Sequence, residues 1–334
     1  MKKNSVTSED VARLAQVSQS SVSRSFTPGA SVSEATQAKV QKAAAELGYR
    51  PNRLASSLTS GKSHTIALLV AYLHNHFYPL VLERLSRALQ ARGYRVMLFM
   101  AEPGNQDAVV EEMMQYQIEG LVMASATLSE GVAQECERAE IPVVVFNRYV
   151  QGGSVSSVTT DNRAGGRLIA EHFLATGHER FGYIAGTKDS STNRDREAGF
   201  TETLIAAGHG LDARGEGGYR AEDAAAAARA MYADGTGPDA LFVANDHMAF
   251  AVLDVLRSEL SLTVPGDVAV AAFDNVPEAA LAAYDLTSVE QPADLMIEQT
   301  VQFLFDRIDG ESDAPGHAVF PAHLVLRGTT RPRP

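Results

Sequence analysis

Residues 18–24, with the sequence Ser-Gln-Ser-Ser-Val-Ser-Arg, form a segment in which almost every side chain is small or polar. Val22 is its only strongly apolar residue, so a helix over these residues is poorly suited to a hydrophobic core. Glutamine, serine and arginine side chains are types that hydrogen-bond to base edges in the major groove of DNA. We therefore predict a recognition helix in which Gln19, Ser20 and Arg24 read bases.

Two neighbouring helical patterns would hold this segment in place. The predicted helix caps are Thr7, with Asp10 as its capping-box partner, then Ser18 for the recognition helix and Ser33 for the third helix. The apolar face of the first helix is expected to consist of Val11, Leu14 and Ala15. The third helix is expected to end near Leu47, where Gly48 stops it. Three helices, of which the outer two hold the middle one toward DNA, are typical of an all-α helix-turn-helix headpiece, which is the predicted fold of this segment.

Charge is unevenly distributed along the chain. The whole sequence of 334 residues has a formal net charge of −12. Residues 1–62 contain nine lysines and arginines against four acidic residues, so this segment stands at +5 and the remainder at −17. Because residues 1–62 are basic and the remainder is acidic, we expect nucleic acid to bind at residues 1–62. The alternative, a solvated basic tail, is disfavoured by the helix caps and the apolar spacing.

The motifs of residues 10–58 resemble those of the LacI/GalR family of bacterial repressors. The matching residues are Asp10-Val11-Ala12, Val17-Ser18, Ser21-Val22-Ser23-Arg24, Val32-Ser33 with Thr36, and the run from Leu47 to Leu58. The resemblance implies that four side chains contact the DNA backbone, namely Thr7, Ser18, Ser23 and Asn52. Thr27 departs from the family, which usually carries asparagine there; the departure affects one backbone contact and leaves the docking mode unchanged.

Residues 51–62 are predicted to be a hinge. Asn52 can cap a very short helix over residues 53–58, which would not be stable alone in water. The resemblance implies that two hinges pair across a dimer in the minor groove. The side chains implied there are Leu58, as a wedge in the central base step, with Arg53 and Ala55 beside it. The alternative is a polar linker, and the two forms can alternate between the free and the DNA-bound protein.

From residue 65 onward, short apolar runs alternate with longer helical patterns. The first series predicts buried parallel strands over residues 66–70, 96–100, 121–124 and 143–146, with helices over 78–92, 107–117 and 129–139. The second series begins at residue 158 and predicts strands over 182–185, 240–244 and 268–272, with helices over 162–176, 196–207, 221–233 and 247–260. This alternation predicts an α/β core of two doubly wound parallel-sheet lobes.

The resemblance extends through the whole chain and implies a periplasmic-binding-protein-like core. The chain would cross between the lobes near residues 161, 289–291 and 320–321, and a helix over residues 292–308 would return to the first lobe. The predicted domains are a headpiece over 1–50, a hinge over 51–62 and an effector-binding core over 63–334. The N-lobe would span about 63–161 and 290–320, and the C-lobe about 162–289 and 321–334.

The sequence lacks the usual motifs of nucleotide enzymes and hydrolases. Residues 71–76 follow the first predicted strand and are not a glycine-rich dinucleotide-binding turn, and no P-loop, GxSxG elbow or HExxH motif occurs. His74 and His76 at this strand end give only a weak signal. Cys136 is the only cysteine, which excludes an internal disulfide and a multi-cysteine metal site. We expect a protein that is not an enzyme and that needs no cofactor or metal.

The hydropathy of the sequence predicts where in the cell the protein is found. No apolar run reaches the length of a membrane span, and the N-terminus has no apolar signal-peptide segment. We therefore expect the protein in the cytoplasm, with no membrane partner.

Polar side chains follow the predicted strands at the edge where ligands of open α/β sheets bind. The candidate effector-binding residues are Asn75, Phe77, Tyr78, Asn147, Arg148, Asp161, Arg196, Asn245 and Asp274. Asparagine, aspartate and arginine offer forked donors and acceptors that grip vicinal hydroxyls, and an aromatic ring can stack on a sugar face. The resemblance implies that Arg196 and Asp274 grip the effector. The mixture of groups favours a carbohydrate over a purine.

Several of these residues have a purely structural alternative. Asn162 and Asn245 stand at helix starts, and a capping role is preferred for Asn162. Asp161 can simply close a loop. Many relatives carry Asp-Arg where this chain has Asn147 followed by Arg148, so one charge is missing and the effector class stays open.

The sequence therefore predicts a ligand-controlled, sequence-specific repressor. Two subunits would associate through their cores and place recognition helices over the half-sites of a near-palindromic DNA operator. A homodimer is favoured over a tetramer because no heptad pattern follows the core. An effector between the lobes and the operator must alter each other's affinity by the same factor. A solute-binding protein and an enzyme with a DNA-binding appendage remain as alternatives.

Overall fold

The structure, a computed structural model, describes residues 6–27, 29–50, 62–71, 73–102, 104–124, 129–150 and 155–332. The chain falls into two compact units, Met1–Ser63 and His64–Pro334. The first contains the N-terminal helices, and the second contains two α/β sheets.

The N-terminal unit consists of α1 (Ser8–Ala15), α2 (Gln19–Ser25) and α3 (Glu34–Leu47). The predicted caps of all three helices are confirmed. Thr7 and Asp10 form a reciprocal capping box at α1, in which Asp10 N donates to Thr7 Oγ1 at 3.3 Å. Ser18 and Ser33 accept backbone N–H groups at the starts of α2 and α3. Gly48 ends α3 with a φ of 65°, a left-handed conformation that suits glycine.

A small apolar core joins these helices. Its buried residues are Val11, Ala12, Ala15, Val22, Val40, Ala43 and Ala44. The inward position predicted for Val22 is confirmed. The prediction for Leu14 is wrong, because its side chain is 43% exposed. Residues advance by about 100° along a helix, so the arc that buries Val11 and Ala15 leaves Leu14 beyond its edge.

The second unit alternates strands and helices. In chain order the strands are β1 (Thr65–Val70), β2 (Arg95–Met100), β3 (Gly120–Ala124), β4 (Val143–Phe146), β5 (Ser156–Thr160), β6 (Phe181–Ala185), β7 (Ala213–Glu216), β8 (Ala240–Val243), β9 (Ala269–Asp274), β10 (Thr287–Glu290), β11 (His317–Phe320) and β12 (His323–Val325). The α-helices are α4 (Phe77–Ala91), α5 (Gln106–Met114), α6 (Glu130–Arg138), α7 (Asn162–Ala175), α8 (Ser191–Ala206), α9 (Ala221–Met231), α10 (Asp246–Asp254) and α11 (Ala293–Ile308). A π-helical turn, Val255–Glu259, continues α10, and a 3-10 turn spans Pro277–Ala280.

The strands form two sheets with corresponding strand orders that differ in the direction of one edge strand. The first has the order β11-β5-β4-β3-β1-β2 and the second the order β12-β10-β9-β8-β6-β7. Paired strands are parallel except for β12, which is antiparallel to β10. β1 and β9 are buried along their whole length, as expected of strands covered on both faces. The predicted fold class, two doubly wound lobes, is confirmed.

The chain passes between the two sheets at three places. Residue 161 follows β5, residues 291–292 follow β10, and residues 321–322 follow β11. As a result α11 packs on the first sheet, although it follows the last central strand of the second. The carboxyl ends of the central strands of both sheets thus point into one cleft, where two of the crossing segments also lie.

Some element boundaries differ from the predictions. The strand at residue 158, grouped with the second series, pairs with β4 and β11 in the first sheet. α8 begins at Ser191, five residues before its predicted start, because the preceding serine caps it. β7 was not predicted, since its sequence Ala-Arg-Gly-Glu contains no apolar run and lies at a half-exposed sheet edge.

Candidate functional site

The predicted DNA-reading side chains lie on the exposed surface of the headpiece. The exposed residues are Thr7, Ser18, Gln19, Ser20, Ser23 and Arg24. Gln19 Nε2 donates to Ser8 Oγ at 2.9 Å, and Arg24 Nε donates to the Ser20 carbonyl at 3.3 Å. These single contacts leave further donors on both side chains for base edges. The structure therefore presents the polar face of α2 to solvent, with only Val22 and Ser25 buried.

Thr27 and the predicted hinge residues also bear on DNA binding. Thr27 Oγ1 donates to the Ser23 carbonyl at 3.0 Å, so its hydroxyl is engaged one helical turn back along α2. The predicted hinge residues Asn52, Arg53, Ala55 and Leu58 lie outside the described residues.

In the second unit, Asp274 lies at the centre of a buried polar cluster between the two lobes. Its Oδ2 accepts from Asn75 Nδ2 at 3.1 Å, and its Oδ1 accepts from Gln291 Nε2 at 2.7 Å. Arg196 Nη2 lies 3.6 Å from the same Oδ1. Asp274 has a φ of 116°, a conformation that L-residues rarely adopt, which marks a strained position. Burial raises the pKa of Asp274, and Arg196 opposes that rise.

Arg196 is the second member of the cluster and is only 2% exposed. Its Nε donates to Asn162 Oδ1 at 2.8 Å and its Nη1 to the Ala244 carbonyl at 2.6 Å. The guanidinium also lies over the ring of Phe273, with Cζ 3.7 Å from the centroid. The side chain is thus held rigidly, while its Nη2 makes no hydrogen bond. A fixed guanidinium whose Nη2 makes no hydrogen bond is suited to grip a hydroxyl or another oxygen of a ligand.

The first lobe contributes Tyr78, Asn147 and Arg148, all buried. Asn147 Nδ2 lies 3.5 Å from Tyr78 Oη, and Asn147 has a φ of 60°. Burial raises the pKa of Tyr78 to about 12, against the effect of the nearby Arg148. Tyr78 is therefore a neutral hydroxyl at physiological pH, able to donate as well as to accept.

Three predicted residues at helix starts have clear local roles. Asp161 caps α7, because its Oδ1 accepts from Ala164 N at 2.8 Å. The preferred capping role for Asn162 is therefore wrong: the chain begins α7 one residue earlier, and Asn162 instead binds Arg196 and the Thr160 carbonyl. Asn245 Oδ1 caps α10 by accepting from Met248 N at 3.1 Å, while its Nδ2 is buried without a hydrogen-bond partner. Asn245 thus keeps a free donor besides its capping role.

Phe77 and Asn75 lie on the same turn after β1. The Phe77 ring stacks on Phe146 at 6.3 Å and is 1% exposed, so it belongs to the core of the first lobe. Asn75 Oδ1 accepts from Phe77 N at 3.1 Å, which orients the asparagine amide toward Asp274.

The structure adds cleft residues that were not predicted. Gln291 lies in a crossing segment, where its Oε1 accepts from Thr160 Oγ1 at 3.0 Å. Tyr219 is buried in a left-handed conformation, with its hydroxyl 3.1 Å from Thr192 Oγ1. Tyr149, after the last residue of β4, donates from its hydroxyl to Asp195 Oδ1 of α8 at 3.4 Å. For Gln291 the position in the predicted crossing was the available signal. For the Gly-Gly-Tyr turn at Tyr219, no local pattern indicated a site.

The cluster therefore offers buried polar atoms without hydrogen-bond partners from both lobes. These are the donors Arg196 Nη2 and Asn245 Nδ2 from the second lobe and the acceptor Asn147 Oδ1 from the first. A buried polar atom left without a partner costs free energy, so a ligand that supplies partners is favoured here. Hydroxyl groups both donate and accept, which matches a site with open donors and an open acceptor. Within the described residues no group of three or more His, Cys, Asp or Glu side chains could hold a metal ion.

A headpiece with an exposed polar recognition helix, joined to a two-lobed core with a buried polar cleft, defines a ligand-responsive DNA-binding regulator. Comparisons with known proteins agree with this class. Residues 7–52 match the family described as bacterial regulatory proteins, lacI family, and residues 170–330 match a periplasmic binding protein-like domain.

Two curated relatives are similar along most of the chain. The HTH-type transcriptional regulator CelR of Thermobifida fusca is 34% identical over 331 residues, covering 96% of this chain and 97% of that protein. The ribose operon repressor of Escherichia coli (strain K12) is 31% identical, covering 90% of this chain and 93% of that protein.

Two solved structures match the fold. A transcriptional regulator CelR–cellobiose complex is 33% identical with a TM-score of 0.72, covering 97% of this chain and 99% of that chain. A Lac repressor dimer bound to operator and the anti-inducer ONPF is 29% identical with a TM-score of 0.88, covering 98% and 99%. The chain belongs to the lacI family of bacterial regulatory proteins, which confirms the resemblance found in its motifs.

Proposed function

We propose that this protein is a transcriptional repressor whose affinity for a near-palindromic operator is set by a carbohydrate, or a carbohydrate derivative, bound between its core lobes. The observation that carries this proposal is the buried cluster around Asp274 and Arg196. It combines a carboxylate, a guanidinium and amides from both lobes with open donors and an open acceptor. The relatives fit the proposal: one solved structure is a complex with cellobiose, and one relative is named for a ribose operon.

On the DNA side, Gln19, Ser20 and Arg24 read base edges, and the capping residues of α1 and α2 contact phosphates. Asn52, Arg53, Ala55 and Leu58 are proposed to act in the minor groove, with Leu58 as the wedge. The positive charge of residues 1–62 supplies the attraction to phosphate, and the acidic remainder keeps the core off the duplex.

The proposed active form is a homodimer, because two recognition helices are needed to span a near-palindromic site. The core carries exposed apolar side chains that a second copy would cover. Leu98 and Met100 are each 49% exposed on the edge strand β2, and Leu281 is 54% exposed in the second lobe. An uncovered apolar sheet edge is an aggregation hazard in a monomer.

The cleft is proposed to bind its effector without turning it over, since the similar proteins are transcriptional regulators. A regulator of chromosomal DNA acts in the cytoplasm, which is the proposed location. Within the described residues, no helix has the length and apolarity of a bilayer span.

The proposal is tested by selecting duplexes from a randomised pool with the purified protein. The affinity for the enriched duplex is then measured by fluorescence anisotropy across a panel of mono- and disaccharides that includes cellobiose and ribose. The expected result is an enriched near-palindromic sequence whose affinity changes with one class of sugar. A pool that yields no preferred sequence contradicts the regulator assignment. Sugar converted to product during the titration contradicts binding without turnover.

A further inference from the structure

Glu119 binds the backbone at the point where the core unit begins. Its Oε1 accepts from His64 N at 2.5 Å, and its Oε2 accepts from the Tyr94 hydroxyl at 3.0 Å. Both carboxylate oxygens are thus engaged, one by the backbone and one by a buried side chain. His64 is the first residue of the core unit, directly after the segment that joins it to the headpiece. We call this arrangement of Glu119, His64 and Tyr94 the entry clasp.

The entry clasp fixes the direction in which the chain enters β1. His64 has a φ of 49°, a left-handed conformation that is costly for a residue other than glycine. Its carbonyl accepts from Arg95 N at 2.8 Å, and Glu119 N donates to the Thr65 carbonyl at 2.9 Å. The start of β1 is therefore held from both neighbouring strands. The carboxylate bond to His64 N holds the residue in its strained conformation.

The clasp is also connected to the cleft through one rigid helix. The Tyr94 ring packs edge-on against Phe305 at 4.9 Å between centroids. Phe305 lies in the last turn of α11, a helix of 16 residues that is roughly 24 Å long at 1.5 Å per residue. α11 begins two residues after Gln291, the side chain that donates to Asp274. A displacement of the crossing segment at Gln291 would move α11. Phe305, which packs against Tyr94 of the entry clasp, would move with it.

We infer that Glu119 is a positioning residue: it fixes the backbone at His64, where the core unit begins, and in this way affects the affinity of the protein for its preferred duplex. This inference rests on the proposed function. Glu119 would touch neither DNA nor effector, and would act through His64 and Tyr94.

The second lobe offers a matched control. Asp212 Oδ2 accepts from Phe181 N at 2.8 Å at the start of β6, the counterpart of β1 in the other sheet. Asp212 thus holds the first residue of β6, as Glu119 holds the residue directly before β1, but no headpiece is joined to β6. Loss of Asp212 should therefore reproduce the structural cost of losing a strand-start acceptor without its effect on DNA.

The test compares E119A, E119Q, Y94F and D212A as full-length proteins. The probes are the duplex that the wild-type protein enriches from a randomised pool and a scrambled duplex, and core melting temperatures are recorded in parallel. We expect E119A to lose about 10-fold in affinity for the enriched duplex and little for the scrambled one. E119Q should recover most of that affinity, because the amide oxygen can accept from His64 N and the amide N–H can donate to Tyr94 Oη. Y94F should fall between the two.

The inference is overturned if E119A keeps wild-type affinity, or if D212A loses as much affinity as E119A at a similar melting temperature. It is also overturned if the enriched and scrambled duplexes lose affinity equally. Failure of the wild-type protein to enrich any duplex would instead contradict the proposed function.

Discussion

Asn75 and Asp274 come from opposite lobes of the core and are joined by a buried hydrogen bond of 3.1 Å between Nδ2 and Oδ2. Each is 4% exposed, so the contact is closed to solvent. Gln291 takes the other carboxylate oxygen at 2.7 Å. A ligand hydroxyl that binds Asp274 must therefore share or replace partners that already connect the two lobes and a crossing segment. A ligand that binds Asp274 would therefore change the hydrogen bonds that connect the two lobes.

The substitution Asp274→Ala should abolish the effect of the effector on operator binding while leaving operator affinity in its absence within about 3-fold of wild type. The reason is that the carboxylate lies in the core cleft and not in the headpiece. Anisotropy titrations of the enriched duplex, with and without the active sugar, measure both quantities. Asp313→Ala, at an exposed position, is the control and should behave as wild type. A normal sugar response in the Asp274 variant would mean that the cleft is misassigned.

The substitution Arg24→Ala should reduce discrimination between the enriched and scrambled duplexes. A good bidentate base contact contributes about 1–3 kcal/mol of discrimination, so the affinity ratio should fall by roughly 5- to 150-fold. Arg13→Ala is a matched control, since Arg13 is a headpiece arginine on α1 whose side chain is 78% exposed and pairs with Asp10 of the same helix. Equal losses in the two variants would indicate that Arg24 supplies only charge.

The substitution Asp246→Asn should flatten the pH dependence of core stability. Burial raises the pKa of Asp246 well above its ordinary value, and the nearby Asp274 adds to the rise. A carboxyl whose pKa is raised in the folded state stabilises the fold below its unfolded pKa and loses that contribution as pH rises toward the folded pKa. The wild type should thus lose up to about 1.4 kcal/mol per pH unit in this window relative to the variant.

Urea unfolding of the wild type and Asp246→Asn at pH 5 and pH 8 measures this difference. The asparagine can keep both native contacts, since its oxygen can accept from Val276 N and its amide can donate to Ser288 Oγ, the partners of the carboxylate. A stability difference that does not change between the two pH values would contradict the raised pKa of Asp246.

The substitution Gly199→Ala should destabilise the packing of α7 against α8. A Cβ at this position would lie 1.9 Å from the Arg163 carbonyl oxygen. Because that atom belongs to the backbone of α7, one of the two helices must shift to make room. Overpacking of this kind costs about 1–3 kcal/mol. Gly210→Ala is the control, because a Cβ there meets nothing within 4 Å. Thermal unfolding should separate the two variants, and equal melting temperatures would show that the helices are not held this closely.

The sequence was sufficient where the determinants are local. The caps at Thr7, Ser18 and Ser33 depend on residues within three positions, and all were predicted. Strands β1, β3, β4, β6, β8 and β9 were predicted because buried parallel strands are continuous apolar runs. The apolar run of β2 was also predicted to be a buried strand, and this is wrong, because β2 lies at a sheet edge and is largely exposed. Leu14 was misplaced because its exposure depends on which arc of α1 the other helices cover.

The cleft was predicted only in part, for a physical reason. Arg196 and Asp274 could be inferred from the family motif, but their partners are fixed by long-range packing. Asn75 meets Asp274 from 199 positions away, and Gln291 meets it from a crossing segment 17 positions further along the chain. The single-residue error at Asn162 arose because Asp161 and Asn162 are both good caps, and only the position at which β5 ends decides between them.

The most direct measurement of the central claim is a closed thermodynamic cycle for the wild-type protein. Operator affinity is measured with and without the active sugar by anisotropy, and sugar affinity is measured with and without the enriched duplex by calorimetry. The two ratios must be equal and different from one if the cleft and the recognition helices are coupled. We predict a shared factor of roughly 5- to 150-fold. A protein that binds both the duplex and the sugar, with each affinity unaffected by the other, would contradict the account.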